Sequence, residues 1–363
     1  MLIEQILGAA LTLLFLADIF LTVLYARAGT GLLAPLWNRM VWAVLRGVAK
    51  RAGRRRGTIL SMAGPLIVVS LIGFWALGLT LGAALVIQPE LGTAIRPSSG
   101  ETPRDFVTAL LVAGNSLSIV GGGNYAPHST GTRLLFLMNS LIGASVLSLV
   151  LSYLVQVYSG LRERNALALT TDLMTGGTGD AAVMLARLMP GGKMDDATSE
   201  LANLARSIAA TKEAHHFYPL LYYFRFEEPR YAVSRFSFVL LDLITLIDTA
   251  LDPHRYGSLR ASAAVRSVAM GADMLIETLD ANFPTVKGSP EDVAETWRLR
   301  QSFLAAVQTL RSAGIVVDAD TIDGYLAERH RWEPRIRRVA PTLGYAMAEV
   351  DRRSVEARHR PEP

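Results

Sequence analysis

The chain has 363 residues, no cysteine, a net charge of +4, and 51% apolar against 19% charged residues. The missing thiol excludes a disulfide framework, thiol catalysis and cysteine metal sites, and the apolar content excludes a disordered chain. Charged residues fall below the quarter usual in soluble proteins, the apolar excess is collected before residue 160, and so small a net charge points to no nucleic-acid partner.

Three stretches are long enough to span a bilayer, which takes about 20 apolar residues. Residues 5–26 carry one charge, Asp18, and residues 59–87 and 134–158 carry none. The first stretch is not read as a secretory signal. Ala26-Arg27-Ala28 resembles a cleavage site, but Glu4 makes the leading segment acidic and the apolar run is too long. Between the first two stretches lie Arg27, Arg39, Arg46, Lys50, Arg51, Arg54, Arg55 and Arg56 with no acidic residue. So basic a loop stays in the cytoplasm. Met1 is then outside, the second span runs outward and the third returns, in the cell (plasma or inner) membrane. Trp37, Val41, Leu45 and Val48 recur at helical spacing. Residues 36–50 therefore read as an amphipathic helix on the inner leaflet, with arginines at anionic lipid phosphates; a solvated basic linker is the alternative.

The segment joining the second and third spans is not composed like a plain loop. Thr102-Pro103-Arg104-Asp105 predicts a helix start, with Thr102 as cap and Asp105 reaching back to it. An apolar helix of about 13 to 15 residues follows, too short to span and best read as re-entrant. Next come Ser118, Ile119, Val120, Gly121, Gly122, Gly123, Asn124, Tyr125, Ala126 and Pro127. Irregular backbone at membrane depth survives only inside protein or beside water. Three consecutive glycines let successive carbonyls point one way, and carbonyls turned to an axis replace a cation's hydration shell. The C-terminal end of the short helix adds partial negative charge.

Span, short helix, glycine-rich loop and span together resemble the potassium-channel pore superfamily, over about residues 59 to 160. The family filter reads T-V-G-Y-G-D with a proline three residues later. Here Val120, Gly121, Gly123 and Pro127 match it, Gly131 and Arg133 open the third span, and Gly143 sits where the family often has a hinge glycine. The resemblance implies a homotetramer of identical chains, since one chain carries a single such unit. It implies no cofactor, only a permeant monovalent cation, potassium or also sodium. The ion-binding filter would be Ser118, Ile119, Val120, Gly121, Gly122, Gly123 and Asn124. Carbonyls of Val120, Gly121 and Gly122 would dehydrate the ion, the third span would line an inner vestibule, and Gly143 would be the hinge of an inner gate.

Three departures bear on selectivity. Ile119 removes the family's threonine hydroxyl, and Ser118 replaces it only if the register slips. Gly122 stands where a tyrosine ring braces the filter, and Asn124 removes a negative charge at the outer mouth. Together they predict a softened filter and leave potassium selectivity open. Asn139 either faces the cavity or bonds a neighbouring helix. Asp18, an intramembrane carboxylate, is either a functional group or an inter-helix contact.

Residues after 160 read as helical throughout, at 180–188, 199–211, 231–251, 259–279, 290–312 and 321–330. No phosphate loop or dinucleotide fingerprint is present, and no acid, base or nucleophile constellation marks an enzyme. His215-His216 points two ways from a helix and reads as surface or packing rather than metal. The aromatic run 217–224 reads as core or interface, and residues 236–251, interrupted by Asp242 and Asp248, as a buried soluble helix. From Arg329 a frayed basic tail is expected. The predicted architecture is an all-α membrane protein: a first transmembrane helix (1–27), a basic interfacial segment (28–57), a pore module (58–160), a helical cytoplasmic domain (161–340) and a basic tail (341–363). The function read from it is a tetrameric cation channel. The alternative is a non-conducting membrane-anchored signalling or scaffold protein.

Overall fold

The computed structural model describes residues 2–25, 31–118, 123–282 and 293–354. The fold is about 81% helical, and among the described residues three helices are long and apolar enough to cross a membrane. Two compact units divide it. One holds residues 1–48, 63–159 and 216–220, the other residues 49–62, 160–215 and 221–363.

In the first unit, α1 (Leu2–Ile19) continues as a π turn through Leu24, and α2 (Ala34–Arg51) follows. The short α3 (Arg56–Ser61) belongs to the second unit. Next comes α4 (Ala63–Ile87), uniformly apolar. Helices α1 and α4 pack antiparallel through small residues. A Cβ at Gly8 would lie 2.6 Å from the Gly82 carbonyl, and one at Gly78 would overlap the Phe15 ring. Gly78 and Gly82, four residues apart, let the backbones approach, which is how helices associate where lipid supplies no hydrophobic drive. At one end Gln5 Nε2 donates to Glu90 Oε1 at 3.2 Å. At the other, Trp37 of α2 stacks on Phe74 at 4.3 Å and donates to Ser70 Oγ at 3.2 Å. Along α2, Leu36, Met40, Val44 and Val48 form an exposed apolar stripe at four-residue spacing. The unit is completed by β1 (Ile95–Pro97), α5 (Phe106–Leu117), β2 (Tyr125–Pro127) and the outer part of α6 (Thr130–Met174). Helix α6 runs well beyond the expected end at Tyr158, because residues 160–171 keep an apolar face: Leu161, Leu167 and Ala168 are buried.

The second unit continues with α7 (Ala181–Leu188), α8 (Ala197–Phe217), α9 (Val233–Thr249), α10 (Pro253–Arg260) and α11 (Ala263–Asn282). Then come α12 (Val293–Ser312), α13 (Ile322–Thr342) and α14 (Met347–Val350). Every residue of α9 from Val233 to Ile247 is buried, so this is a central buried helix of the unit. The aromatic run contributes Leu221, Tyr222, Tyr223 and Phe224 to the buried core. Arg164 is buried, donates to the Leu221 carbonyl at 2.8 Å and lies over the Phe226 ring.

Residues 329–354 are not a frayed tail; residues 355–363 of the expected tail lie outside the described residues. Arg329 and Arg353 are 0% and 5% exposed and sit in a buried ionic cluster. Asp242 Oδ1 accepts from Arg329 at 2.6 Å and Tyr325 OH at 2.8 Å, and its Oδ2 accepts from Arg353 at 2.6 Å. Arg298 bridges Glu333 at 2.5 Å and Asp351 at 2.7 Å. Arg329 also meets Glu333 at 2.7 Å and Asp351 at 3.2 Å. Arg353 reaches Asp180 at 2.7 Å and Ser302 Oγ at 3.0 Å. Buried charges survive only when paired and hydrogen-bonded. Each arginine here finds at least one carboxylate on another element, so α9, α12, α13, the start of α7 and residues 351–354 are held at one point.

Breaking such a cluster by removing one partner costs about 3–5 kcal/mol. Asp242→Asn is expected to lower stability by that order in denaturant unfolding of the detergent-purified protein. Burial raises the carboxyl pKa values of Asp242, Glu333 and Asp351, but the facing arginines outweigh it and hold all three below normal. Depressed carboxylates stabilise fully above the unfolded pKa of about 4, and the contribution is lost as pH falls through the lower folded values. Unfolding midpoints are therefore expected to be flat from these groups above about pH 4.5 and to drop below it, with the drop smaller in Asp242→Asn.

His215 behaves oppositely to a surface histidine. It is fully buried, its Nδ1 donates to the Thr211 carbonyl at 2.8 Å, and its Nε2 has no partner. Burial, then the Arg164 charge, lowers its pKa to about 3. A histidine held neutral adds stability above its unfolded pKa of about 6.5, lost as pH falls from there. His215→Asn is expected to remove up to about 1.4 kcal/mol per pH unit of slope below pH 6.5, as read by unfolding at pH 7 and pH 5.

Candidate functional site

Helix α5 forms because its apolar residues recur at helical spacing. Ala109, Val112, Ala113 and Ser116 are buried, while Val107 and Leu111 are exposed. The buried face packs on Ala83, Ala84 and Ile87 of α4 and on Leu91 and Ile95. The helix begins later than Thr102 predicts. Asp105 is itself the cap, with Oδ1 accepting from Thr108 N at 2.9 Å and Oδ2 from Thr108 Oγ1 at 2.8 Å. Two bonds from one residue outcompete the single bond that Thr102 offers.

At the far end, Ser118 N donates to the Gly114 carbonyl at 2.9 Å and closes the last turn. Ile119, Val120, Gly121 and Gly122 lie outside the described residues. Gly123 lies against α5, where an added Cβ would be 2.8 Å from Asn115 Nδ2. Both residues that flank the undescribed four are thus held by the final turn of α5. The exposed Asn124 accepts from Ser98 N at 3.3 Å. Strand β2 then pairs antiparallel with β1, Ile95 opposite Pro127 and Pro97 opposite Tyr125. His128 N extends the ribbon to the Ala94 carbonyl at 2.8 Å.

Two sequence-predicted positions on α6 pack against α5. Asn139 is 4% exposed and donates from Nδ2 to Ser116 Oγ at 2.9 Å, and Ser116 in turn donates to the Ala113 carbonyl at 2.8 Å. It bonds the neighbouring helix and does not line a cavity. Gly143 lies inside an unbroken helix, and an added Cβ would overlap the Leu117 carbonyl oxygen. Its missing side chain makes room for the end of α5. Gly143 is thirteen residues past Thr130, which is about 20 Å along the helix. The chain therefore reaches that depth at Leu117 and is back at the head of α6 by Thr130.

Asp18 also resolves into a contact. Its Oδ1 accepts from Leu33 N at 2.6 Å and Ala34 N at 3.2 Å, the free amides at the start of α2, and its Oδ2 accepts from Trp75 Nε1 at 2.7 Å. A carboxylate at a helix N-terminus is favourable for both charge and hydrogen bonding. Sequence reasoning missed Ser116, Asn115 and the Leu117 carbonyl. Nothing in their local pattern signals a partner, because each partner lies eight to twenty-six residues later. Among the described residues no group of three His, Asp or Glu is placed to hold a metal ion.

No family model and no solved structure matches the chain. An uncharacterized membrane protein of Bacillus subtilis (strain 168), YdjJ, is 21% identical over 240 residues, 66% of each chain. With three apolar helices of spanning length, that likeness identifies an all-α membrane protein.

Because the Leu117 carbonyl occupies the Cβ position, Gly143→Ala is expected to destabilise the first unit by about 1–3 kcal/mol, and Gly131→Ala, which meets open space, by little. Thermal unfolding of the two variants in detergent checks the difference.

Proposed function

We propose that the chain is one quarter of a cation channel whose filter runs from Ser118 to Asn124. The observation that carries this reading is the depth of α5. A capped helix too short to span ends about 20 Å along α6, and the chain rejoins α6 at its head. Such a path supports a re-entrant loop, with the glycine triplet in the stretch of sequence between Leu117 and Thr130. At membrane depth that backbone needs protein or water around it, and four copies about an axis supply both. The C-terminal carbonyls of α5 would face the ion with partial negative charge, and filter carbonyls would replace its hydration shell.

Orientation follows from the same unit. The basic residues of α2 lie at the Trp37–Phe74 end of the α1–α4 pair, away from Gln5 and Glu90. The positive-inside rule makes that end cytoplasmic. The exposed stripe Leu36, Met40, Val44 and Val48 beside Arg39 and Lys50 suits an anionic inner leaflet. Transport is passive and uses no cofactor.

Reconstitution into liposomes with potassium on one side and sodium on the other is expected to give cation flux. A reversal potential near zero reports the softened filter that Ile119, Gly122 and Asn124 imply, and one near the potassium limit a filter braced elsewhere. Gly121→Asp, which places a side chain in the path, is expected to abolish the flux. Equal flux in that variant, or none in the parent protein, would overturn the reading.

A further inference from the structure

Three arginines outside the Asp242 cluster converge on one recess of the second unit. The recess has a volume of about 360 Å³ and is lined by Asp172, Gly177, Arg230, Arg235, Glu349 and Arg352, among others. All of these residues fall within 160–215 and 221–363, so the recess belongs to a single unit. Arg235 is its buried member. The side chain is 7% exposed, and Nη2 donates to Asp172 Oδ1 at 3.0 Å. Its Nε and Nη1 make no hydrogen bond among the described residues. The guanidinium fits there because Gly179 has no side chain and holds a φ of +69°; an added Cβ would lie 2.6 Å from Nη2. Burial, with the nearby charges of Arg352 and Arg230, draws the Arg235 pKa down against the pull of Asp172.

The carboxylates of the recess do not complete the pairing. Asp172 serves Arg235 and stands 3.7 Å from Arg230. Glu228 meets Arg230 at 2.9 Å, but the two side chains are 61% and 46% exposed, and so exposed a bridge opens at little cost. Glu349 turns back on its own backbone, where Oε2 accepts from Ala346 N at 2.7 Å. Arg352 makes no hydrogen bond or ion pair among the described residues. Like charges gathered at short range repel unless an anion sits among them.

We propose that this recess binds the phosphate group of a small hydrophilic phosphate ester. Guanidinium forks match phosphate oxygens bidentately. A phosphate offers three oxygens to three such forks, where a carboxylate offers two. The volume lies within the range of small-molecule sites, about 300–1,000 Å³, so an organic part enters with the phosphate. Among the described residues the lining holds no aromatic ring and no large apolar side chain. It therefore offers a base nothing to stack on and an acyl chain no seat. A phosphorylated sugar or polyol suits it. The site stands whether or not the assembly conducts.

The full chain in detergent is titrated calorimetrically with inorganic phosphate, ribose 5-phosphate and ribose at constant ionic strength. Saturable binding of both phosphates is expected, ribose 5-phosphate the tighter, with none of ribose. Arg352→Ala removes an exposed group that has no partner among the described residues. It should keep the parent's unfolding midpoint and weaken both phosphates at least about tenfold. Glu228→Gln frees Arg230 and is expected to tighten both about two- to fivefold. Arg311→Ala, exposed and outside the lining, should leave binding unchanged. No saturable binding of either phosphate, or parental affinity in Arg352→Ala, would overturn the site. Unchanged affinity in Glu228→Gln would remove Arg230 from it. Ribose 5-phosphate no tighter than inorganic phosphate would overturn the ester.

Discussion

The contact between the Leu117 carbonyl and Gly143 sets the depth of everything around the candidate site. A helix backbone without a side chain is the one surface on which the end of another helix can rest so closely. With that contact made, Asn139 meets Ser116 one turn away, Asn115 meets Gly123, and the chain on either side of the glycine triplet is anchored to the same turn. Filling the Gly143 position would push α5 outward and shift all of these partners together. The site is thus positioned by an absence of volume rather than by a strong bond.

Elsewhere polar satisfaction does the positioning. In the first unit a single carboxylate, Asp18, joins α1 to the start of α2 and to Trp75 of α4. In the second, Arg298, Arg329 and Arg353 meet Asp242, Glu333 and Asp351 in a cluster with almost no contact with water. Such clusters are weak evidence for stability, because apolar residues of the same shape often do as well. They do specify one arrangement, since a shifted register strands a buried charge. The two proline positions inside α13, Pro334 and Pro341, are tolerated alongside that clamp.

The spans, the short helix and the central helix α9 were legible because each depends on a local run: length without charge, or apolar spacing broken by carboxylates. Boundaries set by competition were less so. Thr102 and Asp105 both cap well, and only the second bond to Thr108 decided between them. Residues 329–354 were misread because arginine and proline content signals solvent, whereas Arg353 is buried by Asp180 and Asp242, more than a hundred residues away. Gly143 was singled out by the resemblance alone, and its close neighbour is a backbone carbonyl that no side-chain pattern reveals. Asn139 left two readings open, and burial chose between them.

The bonds of Asp18 carry a consequence for synthesis. When α1 leaves the ribosome, neither the amides at the start of α2 nor the Trp75 indole has yet been made. Committing an unpaired aspartate to hydrocarbon costs up to about 2.5–3.5 kcal/mol on insertion scales. Helix α1 therefore gains its full preference for lipid only after Trp75 of α4 emerges, 57 residues later. The two helices should partition out of the translocon as a pair, with Gly8, Gly78 and Gly82 as the seam along which they leave.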